Sequence, residues 1–315
     1  MLIYLDSKDL NSLADNSISV ETINRFNDFL LDHDAKLVYS FIHIDEMTRP
    51  LYSEGQSNVM SRCNYLENLP HVWINISSLK KDELDVAFIQ YSQGEYCKPI
   101  DPFVRSYIDT LVDVSREVRN YYRSKSLSEM IWDQMYGQKL NGFDLVAHHK
   151  VLFDRYEDLI RKDRETIQRF PNVLTATKEL LYDKVVQGLT GGRINSHHEL
   201  DGEDIRLSFA KYLYKNPAVC PSRRLSFEIF HVLIRDTRTK PRPSDVVGDF
   251  NHIEALPYVD VFTTDRTISH YVKAYDDIVS SKFDSPTYSP KTYKNIKEVL
   301  DKLERTSVRH HAQTY

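Results

Sequence analysis

The chain has 315 residues, of which 41% are apolar and 28% are charged, a composition typical of a soluble globular protein of one large or two ordinary domains. The net charge of −5 excludes a global attraction to nucleic acid, so such a partner needs a local basic patch or metal ions. No apolar run reaches the roughly 18 residues of a transmembrane helix, and the first residues lack the features of a signal peptide. The sequence therefore predicts a cytoplasmic protein without membrane association. The three cysteines, Cys63, Cys97 and Cys220, are widely spaced and form no CxxC pair, so the sequence indicates neither a zinc site nor a disulfide framework.

The first 76 residues alternate between apolar runs and helical patterns. Residues 2–5 form a strand-like run, and apolar residues at helical spacing follow it. A second strand is predicted at 37–42, a helix starts near Glu46, and a third strand is predicted at 72–76. This alternation predicts a parallel sheet with crossover helices.

Helical patterns dominate the middle of the chain, and strand signals return near its end. The middle pattern predicts helices that include 151–160, 174–186, 205–214 and 225–234. Towards the end, helices are predicted at 245–256, 267–275 and 293–303, with a strand at 259–263. We therefore expect an α/β domain of about four or five parallel strands flanked by helices, built from 1–76 and 243–315, with a large all-helical insertion at 80–242.

Four acids lie where elements of such a sheet begin or end. Asp6 closes the first strand, Glu46 follows the second by one turn, Asp249 lies in the helix at 245–256, and Asp265 closes the strand at 259–263. Open α/β sheets bind ligands outside the carboxyl ends of their strands, so these side chains are expected to meet there. Carboxylate oxygens suit Mg²⁺ or Mn²⁺. Two such ions about 3.5–4 Å apart can activate a water and stabilise the leaving oxygen of a phosphodiester.

Three segments in this order resemble the motifs of the PIN-like nucleases. They are 4–7 (Tyr-Leu-Asp-Ser), 40–47 (Ser-Phe-Ile-His-Ile-Asp-Glu-Met) and 249–265, which ends in Thr-Thr-Asp and carries Asp260 before its strand. The resemblance covers about 1–76 and 243–285. It implies a metal-dependent nuclease that cleaves RNA, or less often DNA, with Asp6, Glu46, Asp249 and Asp265 as metal ligands. PIN-like proteins include toxins and defence effectors, and a regulatory protein partner would restrain such an activity.

Alternatives remain for each part of this hypothesis. Lys8 stands where the family often has Asn, and its ammonium could weaken metal binding or contact phosphate. Asp245, one helical turn before Asp249, is an alternative third acid. The hydroxyls of Ser7 and Thr263 could donate hydrogen bonds to the acids or only cap helices.

Each acid also has a purely structural interpretation. Asp6 and Asp265 could be helix N-caps, and Glu46 could be an acid favoured by the helix dipole. A packed side chain is the favoured interpretation of His252, as is a hydrogen-bonded turn residue for Asp260.

Basic residues form two clusters, which are either solvated helix faces or contacts for nucleic acid. One cluster runs from Arg223 to Arg242, and the other comprises Arg116, Arg119 and Arg123 beside two tyrosines. The runner-up function is a non-catalytic PIN-like scaffold that binds nucleic acid or a protein partner. A haloacid-dehalogenase-like phosphatase is disfavoured, because it requires an Asp at the position of Lys8. Nothing in the sequence indicates an oligomeric state.

Overall fold

The computed structural model describes residues 1–48, 56–94, 100–111, 114–136, 203–235, 251–280 and 287–303. The helices predicted at 151–160 and 174–186 lie outside these residues, as does the first half of the helix predicted at 245–256. Among the described helices, none combines the length and the apolar character needed to cross a membrane.

Six strands and a series of helices make up the described part of the chain. The strands are β1 (Leu2–Tyr4), β2 (Lys36–Tyr39), β3 (His71–Ile74), β4 (Phe103–Val104), β5 (Val261–Thr263) and β6 (Thr292–Tyr293). The helices are α1 (Ser7–Ala14), α2 (Val20–Asp32), α3 (Phe41–Thr48), α4 (Gln56–Glu67), α5 (Ile76–Gln93), α6 (Arg116–Tyr122), α7 (Leu127–Tyr136), α8 (Glu203–Lys215), α9 (Pro221–Arg235) and α10 (Arg266–Ser280). Short 3₁₀ helices span Tyr107–Thr110, Leu256–Tyr258 and Ser289–Lys291, and residues 251–253 and 296–303 are also helical.

The strands form one sheet in the order β4-β3-β2-β1-β5-β6. Neighbouring strands are parallel except for the antiparallel pair of β3 and β4. The chain moves outward from β1 through β2 to β3, and it later returns to the other side of β1 as β5. The carboxyl ends of β1 and β5 therefore flank a topological switch point, where open α/β sheets bind their ligands.

Alternate strand residues enter two apolar cores, one on each face of the sheet. Ile3 and Tyr39 belong to the first core, which packs against α1, α2 and α4. Tyr4 and Val38 belong to the second core, which packs against α5, α9 and α10. Because both faces are covered, the strands read as short continuous apolar runs rather than alternating ones.

Capping residues determine where several helices begin. The Asp6 side chain accepts from the Lys8 amide at the start of α1, and Ser19 and Asn75 cap α2 and α5 in the same way. Such a cap stabilises a helix by about 1 kcal/mol, because it satisfies an amide that has no partner within the helix. At the other end of α5, Gly94 adopts a left-handed φ of 69°, which glycine takes without strain.

The α/β class and a mostly parallel sheet flanked by helices are confirmed. The sheet is mixed and has six strands instead of four or five parallel ones, since β4 and β6 add two residues each. Because β4 falls within 80–242, that range is not entirely helical. The strand predicted at 37–42 is too long, because it ends at Tyr39 and α3 begins at Phe41.

Candidate acidic site

Three of the four predicted acids lie at the carboxyl ends of the parallel strands. Asp6 lies two residues after β1, Glu46 lies in α3 after β2, and Asp265 lies two residues after β5. Because β2, β1 and β5 are neighbours, their carboxyl ends bring these side chains to the switch point. Asp249 and its alternative Asp245 lie outside the described residues.

The charges of these acids act on one another. Burial raises the pKa of the Asp6 carboxyl above its usual value, and the carboxylates of Glu46 and Asp265 raise it further. The imidazole of His252 and the hydrogen bond from the Lys8 amide oppose this rise. The carboxylates of Glu46 and Asp265 therefore lie close enough to Asp6 for their negative charges to oppose its ionisation.

Asp6 and Asp265 also have the structural role that the sequence left open. Oδ1 of Asp6 accepts a hydrogen bond of 2.8 Å from the Lys8 amide, and Oδ1 of Asp265 accepts one of 2.7 Å from the Ile268 amide. Each acid is thus the N-cap of the helix that follows it. A carboxylate has two oxygens with several lone pairs, so capping through one oxygen is compatible with binding a cation through the other.

Thr263, the last residue of β5, connects Asp6 to a second carboxylate. Its buried hydroxyl accepts a 2.7 Å hydrogen bond from the Asp6 amide and donates to the carboxyl of Asp9. Burial raises the pKa of Asp9 to about 6, and the charge of Asp6 adds to this rise. Asp9 was not predicted as a site residue, because its position is that of an ordinary acid in the first turn of a helix and nothing else in the sequence connects it with the other acids.

Glu46 is hydrogen-bonded to a buried histidine. Its Oε2 lies 3.2 Å from Nε2 of His252, and the Ser7 hydroxyl lies 3.5 Å from the same nitrogen. On the other side of the ring, Nδ1 lies 2.6 Å from the Tyr4 hydroxyl. His252 is packed, with 4% of its surface exposed, as the favoured interpretation predicts, but it also contacts the acidic site.

A second buried histidine supports the backbone beside Asp6. Nδ1 of His43 accepts from the Ser40 amide at 2.9 Å, so the ring proton is on Nε2, which donates to the Leu5 carbonyl at 2.8 Å. Burial and, to a smaller extent, nearby His252 lower the pKa of His43 to about 3. His43 is therefore neutral at physiological pH and holds the peptide that precedes Asp6.

The donor set fits a hard divalent cation that keeps part of its water. Among the residues that the structure describes, no group of three or more His, Cys, Asp or Glu side chains is arranged to hold a metal ion. Mg²⁺ commonly binds through only one or two carboxylates and retains several waters. Burial, and to a smaller extent the charges of Glu46 and Asp265, raise the pKa of Asp6, and a cation would offset both effects, so the chemistry of these three acids suits such an ion.

Several arginines of the two basic clusters have internal partners. Arg119 donates to the carbonyls of Ile108 and Leu111 at 3.0 Å each, and Arg123 contacts Asp109 at 3.0 Å. Arg224 is buried, forms an ion pair with Glu228 at 3.0 Å and lies over the ring of Tyr214. Arg238, Lys240 and Arg242 lie outside the described residues.

Asp260 directly precedes β5 and therefore lies at the end of the strands opposite the acidic site. Its Oδ2 accepts a 2.8 Å hydrogen bond from the Leu2 amide, and its own amide donates to the Leu2 carbonyl at 2.9 Å. This turn role was predicted, and it makes Asp260 a reference for acids that flank β5 without belonging to the site.

Comparison with known proteins adds no further residue, because no family model, curated protein or solved structure matches this chain.

Proposed function

We propose that this chain is a PIN-like, metal-dependent nuclease that hydrolyses phosphodiester bonds, with RNA as its principal substrate. The observation that supports the proposal is the convergence of Asp6, Glu46 and Asp265 on the carboxyl ends of three neighbouring strands. Burial is the main cause that raises the pKa of Asp6, and the charges of the other two acids add to the rise, as expected for carboxylates that lie near one another.

In this proposal Asp6, Glu46, Asp249 and Asp265 hold Mg²⁺ or Mn²⁺. When bound, the cation supplies Lewis-acid chemistry, which activates water and neutralises charge on the phosphate. The side chains around it orient the site: Thr263 fixes the backbone of Asp6, and His252 contacts Glu46. Without a cation, the carboxylates would repel a phosphodiester, so this arrangement of charges favours a metal-dependent reaction over direct substrate binding.

The biological setting follows from the resemblance to PIN-like proteins. A cytoplasmic ribonuclease endangers its own cell, so the proposal includes a regulatory protein partner that restrains it. A toxin or a defence effector would fit such regulation. DNA is the alternative substrate, and cleavage of RNA and of DNA can be compared directly.

The test is cleavage of fluorescently labelled single-stranded RNA and DNA by the purified chain with Mn²⁺, Mg²⁺ or a chelator. The double variant Asp6→Asn with Asp265→Asn should lose activity by about 100-fold or more, since it removes two proposed ligands. Asp260→Asn is the matched control, because this acid flanks the other end of β5, and it should cleave as the parent does. A double variant that cleaves as fast as the parent would contradict the proposal.

The same proteins distinguish a nuclease from a non-catalytic scaffold. Mn²⁺ at about 100 times its dissociation constant should stabilise the parent by about 2.7 kcal/mol, and this stabilisation should disappear in the double variant. A scaffold would bind RNA without cleaving it and would show the same thermal response to Mn²⁺ in both proteins.

A further inference from the structure

A chain of four hydrogen-bonded side chains leads from the interior of the sheet to Glu46. The Ser40 hydroxyl lies 2.9 Å from the Tyr4 hydroxyl, which lies 2.6 Å from Nδ1 of His252. Nε2 of the same ring lies 3.2 Å from Oε2 of Glu46. We call these four residues the polar ladder. Ser40, Tyr4 and His252 are buried, whereas the Glu46 side chain is 18% exposed.

The chemistry of the groups determines which way the protons point in the polar ladder. An ionised carboxylate only accepts hydrogen bonds, so Nε2 of His252 must carry a proton to bind Glu46. The other ring nitrogen, Nδ1, is hydrogen-bonded to the Tyr4 hydroxyl, which is in turn hydrogen-bonded to the Ser40 hydroxyl. Both ring nitrogens of His252 therefore have fixed partners, which hold the ring in one orientation.

Aromatic packing holds the Tyr4 end of the ladder in place. The ring of Tyr4 stacks on Phe262 with centroids 5.1 Å apart and planes 9° apart. The rings of His43 and His252 lie at 4.6 Å and 5.5 Å from it. Because the ring is fully buried in the second core, its hydroxyl has a defined position from which to orient His252.

We infer that His252, held in place by its hydrogen bond to Tyr4, is a positioning residue that fixes the carboxylate of Glu46 for cation binding. This inference rests on the proposed function, because it assigns Glu46 to the cation site. Glutamate has a long, flexible side chain, and a fixed hydrogen-bond donor reduces the entropy that it loses when it binds a ligand. Hydrogen bonds of this kind to carboxylate ligands commonly set metal affinity and orientation.

The first test removes single hydroxyls from buried strand tyrosines and measures Mn²⁺ binding by electron paramagnetic resonance without RNA. Tyr4→Phe should weaken Mn²⁺ binding about 10-fold, since His252 loses the hydrogen bond that holds its ring beside Glu46. The matched control is Tyr39→Phe, because Tyr39 is equally buried but faces the other core and donates to the Leu66 carbonyl. This control should bind Mn²⁺ as tightly as the parent.

The second test changes the histidine itself. In His252→Gln an amide N–H can still donate to Glu46, so Mn²⁺ affinity should stay within about 3-fold of the parent, whereas His252→Leu should lose about 10-fold or more. A merely structural histidine would not show this rescue by Gln. Parent-like Mn²⁺ affinity in either Tyr4→Phe or His252→Leu would overturn the inference.

The inference and the proposed function fail in different ways. If the parent and the variant with Asp6→Asn and Asp265→Asn bind Mn²⁺ equally, the cation site itself is wrong, and both ideas fail. If the double variant loses Mn²⁺ but Tyr4→Phe does not, only the role of the polar ladder is refuted. Should His252→Leu not fold, Tyr4→Phe alone decides, since it keeps the packed ring.

Discussion

Thr263 Oγ1 accepts a 2.7 Å hydrogen bond from the amide of Asp6, so the end of β5 is hydrogen-bonded to the segment that follows β1. The same hydroxyl donates to Asp9. One threonine at the end of β5 therefore binds both a backbone amide and a carboxyl at the start of α1, and its removal should affect both.

Replacing Thr263 by Val should lower the free energy of unfolding by about 1–3 kcal/mol. Val keeps the shape of the side chain but leaves the Asp6 amide and the Asp9 carboxyl without this partner. Urea denaturation measures the change. Thr263→Ser keeps the hydroxyl and is the matched control, so a Val variant that is more stable than the Ser variant would contradict this prediction.

The free energy of unfolding should depend on the ionisation of Asp9. Its folded pKa of about 6 lies above the usual 3.8, so the unfolded chain loses this proton first as the pH rises. The contribution of Asp9 to stability is full below pH 4, declines between pH 4 and 6, and then stays constant. Relative to the parent, Asp9→Asn should therefore gain on the order of 1–3 kcal/mol between pH 4 and 7.

This gain is measured by denaturation of the parent and of Asp9→Asn at several pH values, with a chelator present to remove divalent cations. A difference in stability between the two proteins that stays constant across this window would show that the carboxyl of Asp9 does not titrate as described.

Removing the charge of Lys8 should separate cation binding from substrate binding. The Lys8 side chain is exposed, and its charge lowers the pKa of nearby Asp9. Lys8→Ala should bind Mn²⁺ a few-fold more tightly, since a unit charge near the water-exposed site contributes about 1 kcal/mol of repulsion. Its KM for RNA should rise, because an ammonium that can contact phosphate is lost.

Lys36→Ala is the control for Lys8, because Lys36 is an exposed lysine at the opposite end of the central strands and its loss changes the net charge equally. Mn²⁺ titration and steady-state cleavage give the two readouts. Weaker Mn²⁺ binding in Lys8→Ala would mean that the ammonium supports the acids instead of repelling the cation.

Glu83 should be essential for anchoring α9 to the sheet domain. Its buried carboxylate accepts from the amides of Ser222 and Arg223 at 2.9 and 3.1 Å and from the Tyr258 hydroxyl at 2.8 Å. In Glu83→Gln an amide N–H would face these donors, so the free energy of unfolding should fall by about 2–4 kcal/mol.

Glu129 provides the matched control for Glu83. Its carboxylate also accepts from an amide at a helix start, that of Ser126 at 2.8 Å, but it is exposed to solvent. Glu129→Gln should lower the free energy of unfolding much less than Glu83→Gln does in the same urea experiment. Equal effects of the two substitutions would show that burial of Glu83 does not determine its contribution.

The strands that the sequence predicts are those that are buried on both faces. β1, β2 and β5 lie at the centre of the sheet, so nearly every residue in them is apolar and the runs are visible. β4 and β6 have only two residues each, and two residues show no periodicity. Strand order also depends on distant pairing, which no local pattern contains.

The acids of the site could be found from sequence, whereas the residues that orient them could not. Asp6 and Asp265 follow visible strands and therefore have predictable positions. The role of His252 depends on Tyr4 and Glu46, which are 248 and 206 positions away. In a local view it is one more histidine on an apolar helix. Charge patterns were similarly ambiguous, because Arg119 and Arg224 bind backbone carbonyls instead of facing solvent.

The position of β1 has a consequence for the order in which the protein is made. β1 is translated first, yet one of its two neighbours is β5, and Thr263 meets Asp6 across 257 positions of the chain. While β5 is still missing, a growing polypeptide has one unpaired edge of β1 and lacks Asp265 altogether. The proposed nuclease would therefore be inert until β5 has been translated, during a period when the ribosome holds it next to its own messenger RNA.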